Sequence, residues 1–426
     1  MSKHKEFAVT PALGIVESSR DHLRATLIAL SSNGSFSPEK RLLVCCARTR
    51  IQPPIAEEIC ALAGRALDWE FLFCEAAENS VTPLLGRQLP ALAAGIVPPE
   101  QLSRLKNLTR ANAVRSLVLT AELLMILKLF RSEGIEAIPY KGPVLAAQAY
   151  GDVTLREFED LDIVLRQRDM AKANDLMMTL GYRPKFPWIL SSGAKASRVP
   201  GEYNYRDGPR RMMVELHTER TLRHFPVPPD LDDLSRRLVL VSLSGHEVLT
   251  FGPEDGLPIL CIHGAKDFWE RMSWIADIAE FVQAHPQLDW DHVFMRAEVL
   301  HAGRMLHVGL ALAISFLDAS LPDEIVARVG RDRVAGSIAY EVQQRLLSRK
   351  WPSMDAAGRF RFRRRMMKGS LAGWGYAARL TIVPSEDDWS TMSLPGWLVP
   401  LYIALRPLRL LRKYGLGGDR PSRPPS

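Results

Sequence analysis

The chain has 426 residues, 47% of them hydrophobic and 24% charged, enough to bury a sizeable core and to form two or three lobes. Five cysteines with no Cys-x-x-Cys spacing exclude a disulfide framework or a zinc site, and no uncharged apolar run reaches the ~18 residues of a membrane span. Met1–Glu6 lacks the apolar core of a secretion signal, so a soluble cytoplasmic protein is expected, with the excess of its +7 net charge gathered toward the C-terminus.

Residues 20–118 carry repeated 3.6-residue apolar patterns, such as Trp69–Ala77 and Leu102–Leu119, and predict helices broken at Pro53-Pro54, Pro90 and Pro98-Pro99. Another helix is predicted over Ala121–Arg131, stopping before Gly134. Ile135–Tyr140 reads as a short strand and Val144–Tyr150 as a short helix with Pro143 at its start. Lys141-Gly142 stands between them. A helix start exposes unpaired N–H groups that suit phosphate, and glycine lets a backbone approach closely. Gly151-Asp152 turns the chain, and Arg156 leads into Glu159-Asp160-Leu161-Asp162-Ile163-Val164-Leu165.

On a strand, successive side chains alternate between faces, so Leu161, Ile163 and Leu165 would meet a core while Asp160 and Asp162 project together, ~7 Å apart. That separation lets both lean on one or two divalent cations. An edge strand whose solvent face carries acids is the plain alternative. Met212–His217 reads as a second strand, with Glu215 and His217 on the face opposite Val214 and Leu216. Between the two strands there is room for a helix over Met170–Leu180 and an irregular hairpin that includes Tyr203-Asn204-Tyr205. The ordered set of strand, Lys-Gly turn, helix, arginine and Asp-x-Asp is a layout for gripping a nucleoside triphosphate. Lys141 and Arg156 would supply positive charge, Gly142 backbone donors, and the aspartates the metal.

The run Lys141-Gly142, Tyr150-Gly151-Asp152, Leu155-Arg156, Asp160–Leu165 and Leu180-Gly181-Tyr182 resembles the uncharacterised bacterial nucleotidyltransferase family of the polymerase-β-like superfamily. More distantly it resembles the abortive-infection toxin nucleotidyltransferases. The resemblance covers Trp69 to Tyr414 and is densest from Lys141 to His217. It implies an α+β fold, with a small mixed β-sheet core (119–243) between a helical N-terminal region (1–118) and a helical C-terminal domain (244–414). It also implies transfer of a nucleoside monophosphate from an NTP to an acceptor hydroxyl, with release of pyrophosphate. Asp160, Asp162 and Glu215 would be catalytic and would hold Mg²⁺ or Mn²⁺, with Glu215 placed to take the acceptor's proton. Here Lys141-Gly142-Pro143 stands where the superfamily has Gly-Ser, a departure that removes a phosphate-contacting hydroxyl.

A linker is expected around Ser244–Pro258, followed by a second helical region. Leu257–Trp269 places His263 and Lys266 three residues apart, on neighbouring helical positions. By resemblance this helix closes over the nucleotide, with Lys266 near phosphates and His263, like His217, near the site. The structural alternative keeps His263 in the core, Lys266 exposed and Asp277 in an ion pair. Tyr150, Tyr203 and Trp269 are candidates for stacking on a base. Toward the C-terminus, Arg359–Lys368 and Trp397–Tyr414 are basic. The second is an amphipathic segment suited to a polyanion or an anionic membrane surface, or else a helix docked on the protein. Residues 415–426, rich in Pro, Gly, Ser and Arg, are expected to be disordered.

Two other functions share these features. A glycosyltransferase uses Asp-x-Asp to bind a nucleotide sugar, although alternating strands and helices should then precede the motif, where helices are predicted instead. A nucleotidyltransferase fold that has lost turnover could serve as a scaffold or sensor in a biosynthetic pathway. The acceptor is open among a protein side chain, an RNA 3′ end and a small molecule.

Overall fold

The computed structural model describes residues 37–185, 202–207, 212–218, 230–348 and 354–382, together with Leu401 and Leu405. The tail 415–426, and the basic segment Trp397–Tyr414 apart from those two leucines, lie outside the described residues.

Among the described residues five helices come first: α1 (Pro38–Cys46), α2 (Pro53–Ala63), α3 (Trp69–Glu78), α4 (Thr82–Ala93) and α5 (Pro99–Ser132). Prolines at the first turn of α1, α2, α4 and α5 cost no ladder hydrogen bond and fix φ for helix entry. Pro90 does not break the chain as expected. It lies inside α4, where the burial of Leu84, Leu85 and Leu89 along one face offsets the one ladder bond it cannot make. No glycine or proline interrupts α5 after Pro99, so the two predicted pieces, Leu102–Leu119 and Ala121–Arg131, form one helix of 34 residues. The boundary expected between 118 and 119 therefore falls inside a helix.

The central sheet has strand order β1-β2-β5-β4-β3, with β1 (Ala137–Pro139), β2 (Asp160–Leu165), β3 (Tyr182–Pro184), β4 (Glu202–Asp207) and β5 (Met213–His217). Only β2 and β5 run parallel, and the other pairs are antiparallel. Between β1 and β2 come α6 (Gly142–Leu145), a π-turn (Ala146–Tyr150) and a 3₁₀ turn (Val153–Leu155); α7 (Met170–Thr179) precedes β3. The fold is thus α+β, a mixed sheet with helices before and after it.

One face of the sheet packs on α5 and α7 through Leu161, Ile163, Leu165, Val214, Leu216, Ile126, Phe130 and Met177. The other face is also covered. Val164, on the aspartates' side of β2, belongs to the larger core that contains Leu42, Leu85, Leu260, Ile275 and Val308. That core unites helices from both ends of the chain, so the N- and C-terminal helices form one apolar body. Polar ties cross it as well: Lys40 Nζ donates to the Leu346 carbonyl at 2.9 Å and the Thr49 N–H to Glu280 at 2.8 Å.

After α8 (Leu231–Ser235), the segment expected to be a linker is instead ordered structure. Ser244 and Gly245, with φ of +50° and +80°, form the turn of a hairpin, β6 (Leu238–Leu243) to β7 (His246–Phe251). Two consecutive positive-φ residues give the turn whose twist matches paired strands. Thr250 ties this hairpin to β1 through the Pro139 carbonyl at 2.7 Å. Then follow α9 (Pro253–Lys266), α10 (Met272–Ala284), α11 (Trp290–Val299), α12 (Gly303–Leu317), α13 (Asp323–Gly330), α14 (Arg333–Leu347), α15 (Ala356–Arg365) and α16 (Ser370–Ile382).

Candidate active site

The parallel register sets Asp162 of β2 directly beside Glu215 of β5, and the antiparallel register sets Asn204 and Glu202 of β4 beside Glu215 and His217. Cross-strand partners share a face. The face therefore carries Asp160, Asp162, Glu215, His217, Asn204 and Glu202, and it is the face turned toward α9. Ligand atoms of Asp162, Glu215 and His217 all lie within 4.8 Å of one another. Asp160 stands outside that group, half-buried at the start of β2.

Lys141 Nζ donates to Asp162 Oδ1 at 2.9 Å, and His217 Nε2 lies 3.1 Å from the same oxygen and 3.6 Å from Glu215 Oε2. Gly142 makes this approach possible. Its φ is +53°, and a Cβ there would come 3.2 Å from the Asp160 carbonyl oxygen. Only glycine combines that backbone region with that proximity at low cost. The predicted helix after it is split into α6 and the π-turn, which closes on Gly151 at φ +70°.

The electrostatics divide the carboxylates. Burial alone would raise the Asp162 pKa, yet Lys141 and His217 outweigh it and hold the group well below the usual carboxylate range. Burial raises Asp160, and the charge of Asp162 raises it further. Glu215 is pushed up from 4.5 to about 9 by burial and then by Asp162, Glu202 and Asp160. Burial opposes the charge of Lys141, but Asp162 keeps its ammonium well above its ordinary range.

Arg156 is placed differently from a phosphate clamp. Its Nε and Nη2 donate to the two carboxylate oxygens of Asp277 at 2.8 and 3.0 Å, and Tyr150 donates its hydroxyl to the same carboxylate at 2.8 Å. Asp277 lies on α10, so this buried triad fastens the turn before β2 to the C-terminal helices.

His263 and Lys266 sit half-buried on α9 over the acidic face. Burial, then Lys141 and Lys266, hold the imidazole of His263 well below its ordinary pKa. Burial lowers Lys266, but Asp267 and Glu202 more than restore it. Tyr150, Tyr203 and Trp269 are core residues, 9%, 5% and 0% exposed.

Glu202 and Asn204 escaped the sequence reading. Their signal was the alternation of Glu202, Asn204 and Arg206 with Tyr203 and Tyr205, the period of a strand rather than of an irregular hairpin.

Among the described residues no helix is long and apolar enough to cross a membrane. No curated protein matches the chain. Two solved structures are similar to it in part. One is the solution structure of the antibiotic-resistance factor ANT(2'')-Ia, at 13% identity and TM-score 0.30, over 43% of this chain and 92% of that one. The other is an antigenic nucleotidyltransferase-like protein from Paracoccidioides brasiliensis, at 17% identity and TM-score 0.33, over 49% and 96%. Nothing about substrate or mechanism follows from likeness this slight. The sequence itself matches a family described as uncharacterised nucleotidyltransferase over residues 65–318, more than half its length and the whole of the acidic face and its α9 cover. This chain belongs to that nucleotidyltransferase family.

Proposed function

We propose that this protein is a metal-dependent, cytoplasmic nucleotidyltransferase that moves a nucleoside monophosphate from an NTP to an acceptor hydroxyl. The observation that carries the reading is the meeting of Asp162, Glu215 and His217 within 4.8 Å on paired strands, with the Lys141 ammonium beside them. The two carboxylates are oxygen donors that suit Mg²⁺ or Mn²⁺, with the His217 imidazole beside them, and a cation there would counter the burial and the neighbouring negative charges that raise Glu215. The five free cysteines support a reducing compartment.

When bound, the divalent ion supplies positive charge to the transferring phosphate and its leaving group. Asp162 and Glu215 would hold it, with His217 beside them and Asp160 adding charge from the strand start. Lys141, Lys266 and the Gly142 backbone would meet the triphosphate, and His263 would stand against the nucleotide from α9. As the acceptor oxygen bonds to the α-phosphorus, the bond from that phosphorus to the pyrophosphate oxygen breaks, and the acceptor's proton passes to Glu215. A carboxylate beside the divalent ion and the incoming hydroxyl, deprotonated once the ion is bound, suits that role. Arg156, committed to Asp277, would hold the entry to β2 in place rather than clamp phosphate.

Incubation with each α-³²P-labelled NTP, Mg²⁺ or Mn²⁺ and a host lysate tests this, with Asp160→Asn/Asp162→Asn alongside. Label transferred only by the unmutated protein is the expected result, and the labelled species names the acceptor class. Metal-dependent NTP binding without transfer would mean a scaffold or sensor. Absence of binding would remove the assignment.

A further inference from the structure

A nucleotide held at this site needs a surface for its base as well as charges for its phosphates. Bases are held by stacking on a flat side chain whose face is open to the ligand. The three aromatics that the sequence offered for this are closed off. Tyr150 and Tyr203 are buried in the cores, and Trp269 is wholly enclosed between α9 and α12, its ring filling the space beside Gly264 and Gly309. Tyr140 is packed against His217 and Phe251 and covered by the Lys141 ammonium.

We infer that the half-buried indole of Trp274 is the platform on which the base of the bound nucleoside triphosphate stacks, with Arg271 and Glu157 at the rim of that subsite. The inference rests on reading the acidic face as a nucleotidyltransferase centre. Trp274 lies in the first turn of α10, its ring centroid 5.2 Å from that of His263 in an edge-to-face pair. His263 lies 3.5 Å from Asp267 on its own helix and within electrostatic reach of Lys141, Lys266 and Asp162 of the acidic face. The indole thus stands one imidazole away from the residues that would meet the phosphates.

Its surroundings suit a heterocycle. The Arg271 guanidinium lies 6.0 Å from the Trp274 ring centroid and is exposed, so it can stack on or hydrogen-bond a base. Glu157, three residues before Asp160, lies within electrostatic reach of Arg271 and accepts a hydrogen bond from Thr82. Its carboxyl oxygens can accept from an exocyclic amine of a base or from a ribose hydroxyl.

The platform is also rigid, which limits the entropy lost on stacking. Asn79 receives the Met272 N–H on its side chain at 3.2 Å and the Ser273 N–H on its carbonyl at 3.1 Å. Arg271 donates to Ser80 Oγ at 3.2 Å. The turn between α3 and α4 therefore fixes the start of α10 in place.

The test compares ligands with and without a base. Affinities of the full chain for Mg²⁺–NTP and for Mg²⁺–tripolyphosphate are measured in the wild type, Trp274→Leu and Trp274→Phe. Leucine keeps an apolar filler without a π-face. The expected result is an NTP affinity lowered roughly 5- to 150-fold in Trp274→Leu, largely retained in Trp274→Phe, and tripolyphosphate affinity unchanged in both. Equal loss of both ligands in Trp274→Leu would assign the indole to the frame and overturn the inference, as would unchanged NTP affinity. A wild type that binds neither ligand would instead overturn the reading of the site on which the inference stands.

Discussion

Removing the carboxylate of Asp277 should unseat the strand that carries the aspartates. Its two oxygens take Arg156 Nε and Nη2 at 2.8 and 3.0 Å, and the side chains are only 9% and 4% exposed. Asp277→Ala leaves a guanidinium buried without its counter-ion, a change that costs about 3–5 kcal/mol. It also strips the Tyr150 hydroxyl of its acceptor at 2.8 Å, about 1 kcal/mol more. A total of about 4 kcal/mol or more lowers Tm by roughly 4 °C or more, since a chain of 426 residues unfolds with an entropy of about 0.9 kcal/mol/K. Arg156→Met/Asp277→Ala, which removes both charges, should recover much of the loss, with a coupling energy of about 3 kcal/mol in the double-mutant cycle. Urea unfolding followed by tryptophan fluorescence measures each corner. A cost below about 1 kcal/mol for Asp277→Ala would refute the reasoning. So would an Arg156→Met that leaves stability unchanged but weakens Mg²⁺–NTP binding, since the guanidinium would then belong to the triphosphate.

The two aspartates of β2 should behave oppositely in the metal-free protein. Asp160→Asn removes a carboxylate whose charge is disfavoured by burial and by Asp162, and should increase Tm, whereas Asp162→Asn strands the Lys141 ammonium and should cost about 2–4 kcal/mol; calorimetry in chelator separates them. Gly142→Ala forces a side chain into φ +53° and toward the Asp160 carbonyl, so a loss of about 1–3 kcal/mol and weaker Mn²⁺ binding should both appear. Glu215, raised from 4.5 to about 9, binds its proton more tightly folded than unfolded, so its contribution is complete below pH 4.5 and is lost as pH climbs toward 9. Metal-free stability should therefore fall across that window. Glu215→Gln should flatten the fall, and a slope unchanged in that variant would show that another group sets it.

Much of the fold was legible because local signals and tertiary packing agree in the middle of the chain. The alternation of Asp160, Leu161, Asp162 and Ile163 gives β2 and both of its faces, and Met213–His217 is the strand that its pattern predicts. Gly142 was legible as a turn, but its closeness to the Asp160 carbonyl depends on residues 18 positions apart and has no local trace. The pieces misread were those where a weak local break loses to burial. Pro90 stays inside α4, and the polar run after Leu243 becomes a hairpin turn because β7 buries Val248 and Phe251. The partner of Arg156 was not readable at all, since Asp277 lies 121 residues away.

The charge pattern of the site has a consequence for how such a centre survives without its ligands. Clustered buried carboxylates are costly when unpaired, and here the cost is met from within. Lys141 and His217 converge on one oxygen of Asp162, so that group stays ionised, while Glu215 and Asp160 hold protons more tightly. The cluster is thus closer to neutral than its count of acids suggests. A divalent ion entering between Asp162 and Glu215 would compete with a proton on Glu215 and with the ammonium of Lys141 for the same negative charge. Under the proposed reaction both competitors would be useful once displaced: the deprotonated carboxylate would be the form that accepts a proton from a hydroxyl, and the ammonium would be free to meet an incoming phosphate. On the proposed reading, the lysine of the Lys-Gly-Pro turn would bring to the triphosphate a full positive charge, held buried and 2.9 Å from Asp162.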